Sequence, residues 1–202
     1  MSTAEPTPRH ALLLLAAGAG RRYGADKLMA PLRQGGVLLE ASLQPLTPWK
    51  QDVHVMLRPG ASEAWRLVEQ WGGHPHWSPD AALGMGHTLA AGIALLEGYT
   101  GCLLLLGDMP GIRRQSIATL LARLDEHALV VPRHAGQWGH PVGFGRQYFA
   151  PLRQLTGDLG ERTHHSPLLE QHQAQITFVD LDDPGILFDV DTAADLDRFQ
   201  SP

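Results

Sequence analysis

Short apolar runs alternate along the chain with longer segments in which apolar residues return every three or four positions. The runs at 10–17 (HALLLLAA), 52–57 (DVHVML), 101–106 (GCLLLL), 128–131 (ALVV) and 175–179 (QITFV) read as buried strands of a parallel sheet. Between them, helical periodicity is expected over 37–46, 62–71, 86–97, 114–127 and from about 192 to 199. Ser62 and Glu63 suit a helix start, and Asp191 or Thr192 could cap the last helix, since either side chain can accept from free amides. This alternation predicts an α/β fold, a Rossmann-like, doubly wound and mostly parallel sheet with helices on both faces. The stretch 132–160 is rich in glycine, proline and aromatics and breaks the rhythm. It is expected to be an insertion carrying substrate contacts rather than a further βα unit.

Composition narrows the picture. With 202 residues the chain can bury one sizeable core, so one domain over 10–202 is expected after a loose tail at 1–9. A formal charge of −5 gives no general attraction to nucleic acid or acidic membranes, so an anionic substrate must be met locally. The lone cysteine, Cys102, sits in an apolar run and excludes an internal disulfide. It is expected to be a small buried hydrophobe, consistent with a cytoplasmic location. The run ALLLLAA is far shorter than the ~20 residues that span a bilayer, and neither a signal peptide nor a membrane span is expected. Eleven histidines invite a zinc reading. The pairs His74/His76 and His164/His165 lack companion Cys or acidic ligands at metal spacing, which argues against it.

A local basic cluster does exist. LAAGAGRRYGADK, residues 15–27, follows the first apolar run and spaces its glycines at Gly18, Gly20 and Gly24. That is one residue longer than the dinucleotide fingerprint, and Lys27 lies too far from Gly24 for a Walker loop. A strand delivering the chain into glycine-rich backbone can still offer amides to phosphate oxygens. Arg22 could fork onto two of those oxygens, and the ammonium of Lys27 could follow charge growing on a bridging oxygen. In LLLLGDMPGI, Asp108 stands just past a strand end, where one or two carboxylates suffice to hold Mg²⁺ among waters and phosphates. FDVDT sets Asp189 and Asp191 two apart, on one side of an extended segment. Either could complete a metal site or bind a substrate hydroxyl, and Asp191 could equally be a helix cap.

These residues resemble a known family. LAAGAGRRYGADK is similar to the signature L-A-A-G-x-G-x-R-x-G-x-x-K of the molybdenum cofactor cytidylyltransferases, within the wider nucleotidyltransferase superfamily. LGMGHTLAAGI, LLLLGDMPGI, GHPVGFGRQYF, LTGDLGER and FDVDTAADL follow in that family's order. Tyr23 departs mildly from it, since methionine or phenylalanine is commoner there. The resemblance implies Mg²⁺-dependent transfer of CMP from CTP to the phosphate of molybdopterin, with pyrophosphate leaving. It assigns the nucleotide to Leu15, Ala16, Ala17, Gly18, Gly20, Arg22 and Lys27, with Gly84 and Thr88 near it. It gives magnesium to Asp108, makes Arg22, Lys27 and Asp108 the catalytic set, and turns His140 and Asp158 toward the acceptor; from their spacing, Asp191 is expected as the second metal ligand and Asp189 as a substrate contact. The Ala16-Ala17-Gly18 form favours CTP over GTP. Two enzymatic alternatives are a guanylyltransferase and a transferase for another phosphorylated acceptor. A non-enzymatic one is a carrier that hands a nucleotide-bearing cofactor to an apo-molybdoenzyme.

Overall fold

The computed structural model describes residues 9–18, 26–157 and 167–201. Eight strands form one sheet: β1 His10–Ala16, β2 Val53–Leu57, β3 His74–Trp77, β4 Gly101–Leu106, β5 Leu129–His134, β6 Gln137–Trp138, β7 Val142–Gly145 and β8 Thr177–Asp180. Their spatial order is β3-β2-β1-β4-β7-β5, with β8 on the far side of β5 and the short β6 continuing the hairpin that carries β7. β1 pairs in parallel with both β2 and β4, β2 with β3, and β5 with β8; β7 runs antiparallel between β4 and β5, and β6 antiparallel to β5.

The leucine runs are explained by burial on both sheet faces. Along β1, Leu12, Leu14 and Ala16 face one way and pack with α1 (Leu38–Leu43), α2 (Ser62–Trp71) and α4 (Arg114–Leu121). Ala11, Leu13 and Leu15 face the other way and pack with α3 (Met85–Ala94), α5 (Phe149–Leu152) and α6 (Pro167–Gln171). A strand alternates its side chains, so a strand covered on both sides must be apolar at every position. Cys102 is one of these fully buried residues. The last helix, α7 (Ala193–Phe199), covers a smaller cluster formed by Ala30, Leu38, Val190 and Leu196. No helix among the described residues is long and apolar enough to cross a membrane.

Three expectations change. The stretch 132–160 is not an insertion: residues 132–134 lengthen β5, and β7 is an interior strand of the sheet. The helix expected over 37–46 is α only to Leu43 and continues as a 3₁₀ segment, Gln44–Asp52, where Pro45 and Pro48 remove backbone donors. The helix expected over 114–127 stops at Leu121, with the tightened bonds Arg123 N to Leu120 O and Leu124 N to Leu121 O.

Candidate active site

The carboxyl ends of β1 and β4 meet at one edge of the sheet, in register at Leu15 and Leu106. Beyond β4, Gly107 still donates to Leu15 O at 2.9 Å, and its own carbonyl accepts from the buried Ser42 hydroxyl at 2.8 Å. A Cβ on Gly107 would press the Ala16 Cβ at 3.0 Å, so the residue before Asp108 is held tight against the first strand. Asp108 then leaves the sheet, and its carbonyl accepts from Val190 N at 2.9 Å. That bond draws in the segment carrying Asp189 and Asp191, with Val190 fully buried between them.

Lys27 arrives from the other side. It begins a 3₁₀ turn, Lys27–Met29, anchored by the buried Leu28. The preceding Asp26 is paired with Arg58, just past β2, at 2.6 Å. The Lys27 ammonium donates to Asp108 Oδ2 at 2.7 Å and to Asp191 Oδ1 at 2.9 Å. Only 13% of the lysine side chain is exposed, against 23% and 36% for the two acids. Burial alone would lower the Lys27 pKa, but Asp108 and Asp191 outweigh it and raise it, so the charge is firmly held. Asp189 is titrated upward by partial desolvation of its carboxyl and then by Asp191 and Asp108, although the residue also faces solvent. Among the described residues three carboxylates, those of Asp108, Asp189 and Asp191, thus act on one another and on the Lys27 ammonium.

Lys27 and Asp108 border a cavity of about 390 Å³. Its lining includes Leu15, Ala16, Ala17, Gly18, Lys27, Gly84, Thr88 and Asp108, all of them expected nucleotide or metal contacts. Sequence reasoning missed Leu28, Met85, Leu106 and the wall Ala81–Leu83, which lie on the same cavity. Small apolar residues carry no chemical signature, so only the turn-forming Pro79-Asp80 before that wall hinted at a loop. Leu83 is 60% exposed despite its size. Directly after that wall, Gly84 is the N-cap of α3 at φ 123°, a conformation that favours glycine. Thr88 is buried, and its hydroxyl accepts from Ser78 at 3.1 Å. Gly86 N donates to Gly157 O at 2.9 Å, so the start of LTGDLG docks on the first turn of α3.

His140, Asp189 and Asp191 lie outside that lining. Asp191 joins the cavity rim through Lys27, and Thr192, not Asp191, caps α7 in a reciprocal box with Asp195. His140 is buried, joined by a cis peptide to Pro141, and donates from its backbone to Ile186 O at 2.9 Å. It precedes β7, whose Val142 pairs with Leu104, and so approaches the same end of β4. Gly20, Arg22 and Asp158 lie outside the described residues.

The donor set suits a hard divalent ion. Asp108 Oδ1 is buried with no hydrogen-bond partner among the described residues, and an orphaned carboxylate oxygen is what such an ion would engage. No group of three or more His, Cys, Asp or Glu forms a metal cage among the described residues. Mg²⁺ needs none, because it retains waters and takes substrate oxygens beside one or two carboxylates.

Comparison with known proteins supplies a family. The pattern of the MobA-like NTP transferase domain matches residues 12–175. The purine catabolism protein PucB of Bacillus subtilis (strain 168) is 30% identical over 200 residues, spanning 92% of this chain and 93% of its own. The crystal structure of the Mycobacterium tuberculosis Rv0371c homolog from Mycobacterium sp. strain JC1 is 29% identical, covers 95% of each chain and superposes with a TM-score of 0.79. The manganese complex of Rv0371c from M. tuberculosis H37Rv is 24% identical over 96% of this chain and 99% of that one, with a TM-score of 0.72.

Proposed function

This chain belongs to the MobA-like NTP transferase domain family, and within it we propose that it transfers CMP from CTP to the phosphate of molybdopterin, releasing pyrophosphate. The observation that carries the transfer reading is Lys27 seated between Asp108 and Asp191 at the rim of the cavity between the β1 turn and α3. Attack by one phosphate on another is slow because both are anionic, so a transferase must neutralise charge and align the reactants. Lys27 would donate to the triphosphate, and the backbone from Ala16 to Gly18 and at Gly84 would border it. Arg22 is proposed as a second phosphate donor. Asp108 and Asp191 would hold Mg²⁺, which when bound supplies positive charge to the phosphate oxygens. An already ionised phosphate nucleophile needs no strong general base.

The choice of CTP rests on Ala16-Ala17-Gly18, and that of molybdopterin on the likeness of GHPVGF, with His140, and of LTGDLG, with Asp158, to the family's acceptor motifs. Asp189, beside the acid pair, is proposed to meet the acceptor. PucB, similar along nearly its whole length, is named for purine catabolism. The product would pass to an apo-molybdoenzyme.

Incubation of the purified protein with molybdenum cofactor, Mg²⁺ and each labelled triphosphate tests the reading. Pyrophosphate release with CTP alone is expected. Release with GTP alone overturns the base, and release with CTP only when another phosphorylated acceptor is supplied overturns the molybdopterin assignment.

A further inference from the structure

We propose that the Asp108–Asp191 pair is an exchange site for cations, held by Lys27 until a divalent ion arrives already chelated by a triphosphate. The inference rests on the reading of the adjoining cavity as a triphosphate site.

The argument starts from occupancy. Both carboxylates direct one oxygen at the same ammonium, at 2.7 and 2.9 Å. A metal ion held by the two oxygens that now accept from Lys27 would stand where the ammonium now stands, or within a few ångströms of it. Two desolvated cations at that separation repel strongly. Lys27 must therefore leave at least one acid before a metal can take both. With its side chain 13% exposed, the ammonium has little water to turn to, and a buried charge that loses its partner is costly. A free metal ion gives Lys27 no new partner. A metal–triphosphate chelate does, because its cation meets the acids while its phosphate oxygens accept from the displaced ammonium. The orphaned Asp108 Oδ1 fits this picture, since Lys27 satisfies only the other oxygen of that carboxylate.

The test uses Mn²⁺ as the probe, counted as the free ion by its paramagnetic resonance in the presence of the full chain. Wild type should bind Mn²⁺ alone weakly. Lys27→Gln and Lys27→Met should each bind it about tenfold tighter or more, and adding Asp108→Asn should abolish that gain. With the complex of Mn²⁺ and α,β-methylene-CTP the order should reverse, wild type binding more tightly than either Lys27 variant. Equal affinity of wild type and Lys27→Gln for Mn²⁺ alone would overturn the proposal. Should both variants fail to fold, the side-chain ¹⁵N resonance of Lys27 in wild type decides: it should shift with the Mg²⁺ complex of the analogue and stay put with Mg²⁺ alone, and a shift with Mg²⁺ alone counts against the proposal. A gain in free Mn²⁺ binding by Lys27→Gln, with no binding of the analogue by any of the proteins, would instead remove the triphosphate reading and the chelate with it.

Discussion

Lys27 joins residues 81 and 164 positions further along the chain, and what fixes the three together is the backbone beneath them. Asp108 is tied through Gly107 to β1 and through its own carbonyl to Val190, so neither acid depends on the lysine for its place. Asp108→Asn should therefore leave the melting temperature near that of wild type while lowering kcat roughly 10²–10³-fold, the usual cost of one electrostatic contact to a transition state. Steady-state pyrophosphate release beside a thermal melt checks both; ordinary turnover would remove Asp108 from the site. Asp108 and Asp191 were legible in the sequence because each follows an apolar stretch at a turn and has a charge to offer, and Lys27 because it closes a glycine-rich basic cluster after an apolar run. The contest between Asp191 and Thr192 for the helix cap was not legible. It is decided by Asp195, which takes the Thr192 amide at 2.9 Å and leaves Asp191 for Lys27. The wall Ala81–Leu83 was equally silent, its role arising only from where the chain leads it.

At the scale of elements, the strands hidden from the sequence are β3 and the pair β6 and β7. HPHW in β3 has a proline and two histidines in four residues, and VGFG in β7 is half glycine. Both defy strand propensity, and packing overrides it. A Cβ on Gly143 would come within 3.1 Å of the Val130 Cβ, and one on Gly145 within 2.5 Å of the backbone at Asp125 and Glu126. The glycines that concealed β7 are thus what let it lie between β4 and β5. Gly145→Ala should cost about 1–3 kcal/mol, as other overpacked interiors do, read as a lower urea midpoint. A second joint lies between α4 and the segment that leads to Asp189. Asp183, its side chain 2% exposed, accepts from Arg113 N at 2.8 Å, Ser116 Oγ at 2.6 Å and Gly185 N at 3.0 Å. Asp183→Ala strands these donors in the interior and should destabilise by about 2–4 kcal/mol. Ser116→Ala, which removes one donor and leaves the carboxylate two, should cost about 1 kcal/mol in the same urea titration.

Across the whole molecule the two ends of the sheet carry different electrostatics. The acids and Lys27 gather at the carboxyl ends of β1 and β4, whereas near the start of β2 His54 bonds His76 on β3 at 3.0 Å and the Tyr99 hydroxyl at 3.0 Å. That hydroxyl reaches Asp52, which also pairs with Arg9 at 2.6 Å. Burial, then the neighbouring His76 and His74, push the His54 pKa down to about 4, against partial support from Asp52. A base whose native pKa is depressed takes up its proton more readily when unfolded, so between about 6.5 and about 4 the unfolded chain binds more protons. Stability must then fall as the pH drops through that window and hold steady above it. The melting temperature should decline between pH 7 and pH 5 by more in wild type than in His54→Gln, even though the variant, short of a buried contact, starts lower at pH 7. Parallel declines in the two proteins would place the acid sensitivity elsewhere. Because the imidazoles sit at the end of the sheet away from Asp108, saturating Mg²⁺ and CTP should raise the melting temperatures of both proteins at pH 7 alike and leave the difference between their declines unchanged.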